Sequence, residues 1–271
     1  NGRLKTLTLP ITVYATEDYP PTFAPTVVEV PQGGAPVVVD LLALTQGPEG
    51  TEAGPAQYAY SLTTAVPNGF SVGLEGTLLS ISAAATTARG TVGSIGLAIG
   101  YGVSGSLPAA LDFRATASDR QVAQVRDFTI ADGVSGESRP VEVLAGSFNP
   151  FPETLLRVLG ATVETPNSGT ASVDGARVVV RPVENYVGTM VVRYLVVDAT
   201  GEPGREVEGR ITLTVRGLPG TPSTPTERGI RDRTVVLAWD APAANGEPID
   251  YYEVVRSPGG DVTRCASTTC T

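Results

Sequence analysis

The 271 residues of this chain include 28 acidic and 19 basic side chains, which gives a formal net charge of −9. This balance disfavours binding to nucleic acid or to anionic membrane surfaces, which requires clustered Lys and Arg. Because the sequence contains no histidine, it excludes Ser-His-Asp and Cys-His catalytic arrangements and His-ligated zinc sites. The 41% of apolar residues is enough to bury hydrophobic cores, and no run of about 18 apolar residues is present that could span a bilayer.

Segments that alternate between apolar and polar side chains occur at residues 7–15, 111–116 and 210–216. A period of two predicts β-strands with one face against a core. The segments recur roughly every 100 residues, which is the size of a β-sandwich. Each is followed by a break, at 17–21, 118–120 and 217–225, and the Pro-rich ones cannot continue a central strand. We expect the Pro-rich breaks to act as semi-rigid spacers.

These breaks predict four parts of the chain. Residues 1–17 are interpreted as the terminal strand of a preceding domain, 18–118 as one sandwich, 119–217 as a second and 218–271 as a further unit. No segment shows a sustained helical period, and the best helical candidate, 152–159, is predicted to be a strand. The fold class expected is all-β, with tandem Ig-like sandwiches in an elongated arrangement. Since the chain opens on Asn1 and soon enters a strand pattern, we expect it to be part of a longer protein.

Two glycine-rich motifs resemble catalytic signatures but lack their structural context. Gly69-Phe-Ser-Val-Gly73 fits a nucleophile elbow, which requires a strand-to-helix turn and a histidine. Gly100-Tyr-Gly-Val-Ser-Gly105 fits a dinucleotide fingerprint, which requires a helix after the last glycine. Because the flanks of both motifs are strand-like, we interpret them as a β-hairpin segment and a turn. Leu218-Pro-Gly-Thr-Pro222 lacks the final glycine of a sorting signal and is interpreted as a linker.

The second predicted sandwich carries a recognisable order of residues: Gly169-Thr-Ala171, Pro182, Asn185-Tyr-x-Gly188, Tyr194 and Asp198. This pattern resembles the bacterial cadherin-like and Ig-like tandem repeats of large secreted proteins. The resemblance covers nearly all of the second sandwich and is weaker in the first. Gly146-Ser147 stands where those repeats usually carry Asn-Asp.

The resemblance implies a calcium site, because cadherin-like repeats hold calcium between domains with acidic side chains. The candidates are Asp18, at the first junction, and Asp198, in the turn after a predicted strand. The alternative is that Asp198 shapes an Asx turn and Asp18 is solvated. No other cofactor is expected.

The C-terminal residues carry a second pattern. Val235, Leu237 and Trp239 alternate, and Pro242, Asn245-Gly246 and Tyr252-x-Val254 follow. This order resembles the start of a fibronectin type III domain, in which the Trp is a core residue. About 50 residues cannot supply the seven strands of that fold, so the domain is predicted to be truncated here.

Cys265 and Cys270 are too few for a zinc site. They predict a hairpin disulfide in an oxidising compartment, with two free thiols as the alternative. Some actinobacterial members of the type III family carry a hairpin disulfide near this point.

Aromatic side chains in predicted loops are candidate ligand contacts. Phe148 and Phe151 share a loop, and Tyr101 lies among glycines. Exposed rings can stack on sugars or anchor a protein interface. The alternative is that each ring plugs the end of its own sandwich.

These observations predict a non-catalytic structural and adhesive spacer in a large secreted or cell-surface bacterial protein, of actinobacterial type. Its expected partners are neighbouring domains of the same chain and an extracellular protein or glycan. The alternative function is an accessory region, glycan-binding or linking, of a secreted polysaccharide-degrading enzyme. We do not expect an enzyme within these residues, nor nucleic-acid binding or a membrane span.

Overall fold

The computed structural model describes residues 8–10, 19–47 and 57–271. Within these ranges the chain forms 21 β-strands and two single-turn 3₁₀ helices, at Leu42–Leu44 and Pro203–Arg205. The strand predicted over 7–15 lies mostly outside the described residues. The all-β fold class is confirmed for the part of the chain that the structure describes.

The described residues divide into two compact units. The first contains the residues up to Gln121 together with Pro150–Glu153 and Ala199–Gly201. Its strands are β1 (Thr22–Phe23), β2 (Val28–Pro31), β3 (Val37–Asp40), β4 (Thr45–Gln46), β5 (Tyr58–Leu62), β6 (Phe70–Glu75), β7 (Leu78–Ala83), β8 (Val92–Tyr101) and β9 (Gly105–Thr116).

The first unit is a β-sandwich. One sheet has the strand order β2-β9-β8-β5, the other has β3-β7-β6, and β1 and β4 form a small separate pair. Ile95 and Phe113 from the first sheet share one hydrophobic core with Leu79 and Ile81 from the second, and all four side chains are buried. The core therefore lies between the two sheets, as the alternating burial of β7 and β8 requires.

The second unit contains Val122–Asn149, Thr154–Asp198 and Glu202–Thr271. Its strands are β10 (Phe128–Val134), β11 (Arg139–Val141), β12 (Arg157–Val163), β13 (Gly169–Asp174), β14 (Arg177–Pro182), β15 (Gly188–Val197), β16 (Val207–Arg216), β17 (Thr226–Arg231), β18 (Thr234–Ala238), β19 (Tyr252–Val255), β20 (Val262–Cys265) and β21 (Thr269–Cys270).

The strands β10 to β16 form a second sandwich with the strand order of the first. Its sheets are β10-β16-β15-β12 and β11-β14-β13. In both sandwiches the first strand of the larger sheet runs parallel to the last strand, β2 beside β9 and β10 beside β16, and the other pairings within the two sheets are antiparallel. The structure therefore confirms tandem sandwiches, and it shows that they repeat one seven-strand order.

The second core is built around a buried tyrosine. Tyr194 in β15 packs with Val192, Ile211 and Leu213, and its hydroxyl donates a hydrogen bond of 2.5 Å to the backbone oxygen of Arg126. Burial, reinforced by the negative charge of Asp127, raises the pKa of Tyr194 from 10.0 to about 12. The hydroxyl is thus held protonated within the core.

A third hydrophobic cluster lies in the C-terminal part of the second unit, where β17 to β21 form the sheets β17-β18-β21 and β19-β20. It contains Trp239, Cys265 and Cys270, with Leu237 and Tyr252 packed against them. Trp239 contacts Tyr252 edge to face, with ring centroids 5.2 Å apart.

Both glycine motifs lie in hairpins. Phe70–Glu75 is a strand paired antiparallel with β7, so Ser71 lies within a ladder and not at a strand-to-helix turn. Gly102 has a φ of +55° in the turn that joins β8 to β9. The prediction of a strand over 152–159 is wrong for its first half, since β12 begins only at Arg157. The preceding loop is closed by the Asn149 side chain, which donates to the backbone oxygen of Thr154 at 2.6 Å.

Candidate functional site

Charged side chains do not gather into a metal centre in the described ranges. No group of three or more His, Cys, Asp or Glu residues is placed there to hold a metal ion. None of the described helices is long and apolar enough to cross a membrane. Asp18 lies outside the described residues, so its role as a calcium ligand stays a prediction.

Asp198 lies in a buried ion pair. Its side chain is fully buried, and the Arg205 side chain is 10% exposed. The guanidinium donates from Nε at 2.9 Å and from Nη2 at 2.8 Å, both to Oδ2 of Asp198. The 3₁₀ turn Pro203–Arg205 carries the Arg back to the end of β15. Because the guanidinium already supplies a positive charge here, a cation would have to share this carboxylate with it. Calcium ligation by Asp198 stays a prediction, which thermal melts in millimolar calcium and in chelator would test.

The two loop phenylalanines have opposite environments. Phe148 is 45% exposed, and its backbone forms a bridge with Gln124. Phe151 is only 5% exposed and belongs to the first unit, where its ring approaches Gly33. The Arg120 guanidinium carbon stands 5.3 Å from the centroid of the Phe151 ring. Phe151 is therefore a packing residue in this structure, and only Phe148 presents a ring to solvent.

Tyr101 packs on a glycine. It is the last residue of β8 and is paired with Gly105 at the start of β9. The Tyr101 ring occupies the space that a side chain at position 105 would need. Tyr58 in β5 is its partner on the other side. Tyr101 is partly exposed, so it can still contact a ligand at the end of the sheet.

The structure joins Cys265 and Cys270 in a disulfide, with Cα atoms 5.6 Å apart. The bond closes the segment between β20 and β21 and lies against Trp239 in the third cluster. It therefore forms part of the small core of the C-terminal strands.

The Pro-rich segment before β17 is the most organised feature that sequence reasoning missed. Pro219, Pro222 and Pro225 line one groove of about 480 Å³, whose other walls include Trp239 and Tyr252. A spacing of three places residues on one side of a polyproline II helix, which has three residues per turn. The three prolines therefore share one side of the segment, which lines the groove, and all three remain exposed.

A second face of the same segment is hydrogen-bonded. Gly220 donates its backbone N–H to the oxygen of Ala243 at 2.8 Å. The backbone N–H of Asp240 donates to Oγ of Ser223 at 2.7 Å. Thr226 donates its hydroxyl to the oxygen of Ala238 at 3.1 Å. Positions 220, 223 and 226 thus bind positions 243, 240 and 238 in antiparallel order.

The remaining positions of the segment are exposed, and two of them, Leu218 and Thr221, line a groove with Val134. Leu218 is 88% exposed, and Thr221 and Thr224 are also exposed. Asn245 holds the first residues of the segment by two hydrogen bonds. Its backbone oxygen accepts from the N–H of Gly217 at 2.9 Å, and its side chain donates to the backbone oxygen of Leu218 at 2.7 Å. We call residues 217–226 the proline strap. Hydrogen bonds join it to residues 238–245, and its prolines line the aromatic groove.

Comparison with known proteins identifies no family: no family model and no curated protein matches the chain. Matches to solved structures comprise 350 chains. The titin domains A168–A170 cover 92% of this chain and 86% of their own, at 14% identity and a TM-score of 0.38. Domains EC1-2 of human mucin-like protocadherin cover 73% of this chain and 98% of their own, at 12% identity and a TM-score of 0.33.

An endo-fucoidan hydrolase of glycoside hydrolase family 107 also matches, at 14% identity and a TM-score of 0.28 over 77% of this chain. The chain spans only 31% of that hydrolase and 50% of the human desmocollin-1 ectodomain. At these identities and TM-scores the matches do not assign a family or a function. The assignment to β-sandwiches rests on the sheets and cores described above.

Proposed function

We propose that the chain is a structural and adhesive spacer in an extracellular multidomain protein, built from β-sandwich modules that resist tension. The modules are 18–118, 119–217 and 218–271, with 1–17 belonging to a preceding domain. Each of the three ranges contains one separate hydrophobic cluster, which supports this division. The disulfide between Cys265 and Cys270 supports an oxidising, extracellular location, and the resemblance of 169–216 to bacterial tandem repeats supports a bacterial surface or secreted protein.

The observation that carries the proposal is the parallel pairing of the first and last strands. In the second sandwich β10 and β16 share five residue pairs, from Phe128 with Ile211 to Val134 with Arg216. In the first sandwich β2 and β9 share four. Because the two strands are parallel, the chain enters at one end of the pair and leaves at the other. Tension on the two chain ends therefore shears all the hydrogen bonds of the pair together instead of opening them one by one.

Force spectroscopy with two handle placements tests this. Handles on Val122→Cys and Leu218→Cys load the pair of β10 and β16 in shear. Handles on Val122→Cys and Glu208→Cys pull at the ends of the two strands that lie side by side, and thus unzip the pair. All three positions are exposed. We expect a clearly higher unfolding force in the first placement, and equal forces in both would contradict the proposal.

An accessory glycan-binding role is the second candidate, and the exposed ring of Phe148 favours it. Such a ring can stack on a sugar. Phe148→Ala would then abolish binding on a glycan array, while Phe151→Ala at the buried ring would act only through stability. Absence of glycan binding by the unmodified chain would leave the spacer role.

A further inference from the structure

The solvent face of the proline strap carries two hydroxyl groups that the fold does not use. Among the described residues, neither Thr221 nor Thr224 takes part in a hydrogen bond, and both are exposed. The neighbouring hydroxyls differ, since Ser223 accepts from the backbone of Asp240 and Thr226 donates to Ala238. The hydroxyls of Ser223 and Thr226 are thus hydrogen-bonded to the fold, whereas those of Thr221 and Thr224 are not.

The backbone around the free hydroxyls is held in an accessible form. Thr221 precedes Pro222 and Thr224 precedes Pro225, and a residue before proline is restricted to extended conformations. The segment 217–225 belongs to no strand or helix. The prolines line the aromatic groove and are themselves exposed. A modifying enzyme can therefore reach both hydroxyls on an extended backbone without unfolding the protein.

We propose that Thr221 and Thr224 are acceptor sites for O-linked glycosylation by a hexosyltransferase. In the transfer, Oγ1 of the threonine forms a bond to the anomeric carbon of a phosphate-activated hexose. The bond from that carbon to the donor phosphate breaks, and the phosphate leaves with the electron pair. A base of the transferase takes the hydroxyl proton. Exposed Ser/Thr-Pro segments with this composition are typical of O-glycosylated stalks.

An oxidising compartment outside the cytosol favours a sugar over a phosphate on these two hydroxyls. The disulfide between Cys265 and Cys270 is of a kind that persists in oxidising surroundings outside the cytosol. This choice rests on the extracellular location in the proposed function. A stalk role also gives the modification a use, because glycans on Thr221 and Thr224 would shield the exposed strap from proteases.

Mass spectrometry of the protein purified from the organism that encodes it tests the inference. Trypsin cleaves after Arg216 and Arg228, and the peptide 217–228 contains all four hydroxyl side chains. We expect this peptide to carry one or two hexose-type sugars, with fragment ions that place them on Thr221 and Thr224. The isosteric variants Thr221→Val and Thr224→Val should each lose one site, while Ser223→Ala should retain both.

An unmodified peptide, a phosphate, or sugar confined to Ser223 or Thr226 would overturn the inference. Two further measurements separate it from the proposed function. Protease treatment of intact cells reports whether the protein is outside, and alkylation of Cys265 and Cys270 reports whether they are oxidised. An external, disulfide-bonded protein without sugar refutes the glycosylation alone. A cytosolic, reduced protein refutes the extracellular role. Sugar on Thr221 and Thr224 of such a protein would still support these residues as acceptor sites.

Discussion

The ion pair between Asp198 and Arg205 should be a large single contribution to the stability of the second sandwich. Arg205→Met removes the guanidinium and leaves a carboxylate whose side chain is fully buried. Removing one partner of a buried ion pair costs about 3–5 kcal/mol, because the remaining buried charge loses the guanidinium that compensated it. In a domain of this size each kcal/mol corresponds to about 4–8 °C. The melting temperature of the second sandwich should therefore fall by at least roughly 12 °C.

The assay is thermal and urea unfolding of the chain followed by circular dichroism, with a matched control. Arg177 and Glu142 form an ion pair on the surface of the same sandwich, with side chains 51% and 57% exposed. Arg177→Met should cost no more than about 1 kcal/mol, as expected for a solvated pair. The double variant Asp198→Asn, Arg205→Met should be more stable than Arg205→Met alone, since the buried negative charge is removed together with its guanidinium.

A cost for Arg205→Met as small as that for Arg177→Met would refute the reasoning. It would mean that Asp198 is reached by water or finds another partner. A double variant less stable than Arg205→Met would contradict the electrostatic origin of the effect.

Three further outcomes are expected. Phe151→Ala should destabilise the first unit by about 3–5 kcal/mol in urea unfolding, because it empties a buried site. Phe148→Ala should change the unfolding free energy by no more than about 0.5 kcal/mol, because its ring is exposed. Equal losses of stability would contradict the assignment of Phe151 as buried and Phe148 as exposed. Below pH 10 the hydroxyl of Tyr194 is protonated in both states, and between pH 10 and about 12 only the unfolded state loses the proton. The unfolding free energy should therefore fall over this range by up to about 2–3 kcal/mol, and Tyr194→Phe should flatten that fall in unfolding curves measured against pH. Reducing the bond between Cys265 and Cys270 should destabilise the C-terminal strands by about 2 kcal/mol for so short a loop, and calorimetry with and without reductant should show the transitions of the two sandwiches unchanged.

Individual strands could be predicted from sequence where side chains alternate. Residues 210–216 lie within β16, because alternation reports how one strand meets its core. The neighbour of that strand could not be predicted. β10 contains an irregularity between Ile130 and Gly133 that breaks its alternation, and nothing local to either strand encodes their parallel pairing.

For the candidate sites, too, the residues could be predicted from sequence but their spatial neighbours could not. Asp198 was identifiable as a turn residue, but its partner lies beyond a 3₁₀ turn and is set by tertiary packing. Phe148 and Phe151 share a loop and a residue type, so only the fold separates the exposed ring from the buried one. The spacing of the prolines at 219, 222 and 225 was visible in the sequence. The aromatic groove that these prolines line was not visible in the sequence, because its other walls come from residues up to 36 positions later, at Val255.

The proline strap also bears on how such modules could be exchanged between genes. A recombination point placed at the start of β17, just before Thr226, would separate the C-terminal strands from the three prolines that line the groove with Trp239. A point before Gly217 would keep the proline strap and its hydrogen bonds together with the C-terminal strands. The module exchanged by recombination should therefore contain the C-terminal strands together with the proline strap that precedes them. Sequences that connect modules of this kind should diversify first at position 218, whose side chain is 88% exposed and carries no hydroxyl.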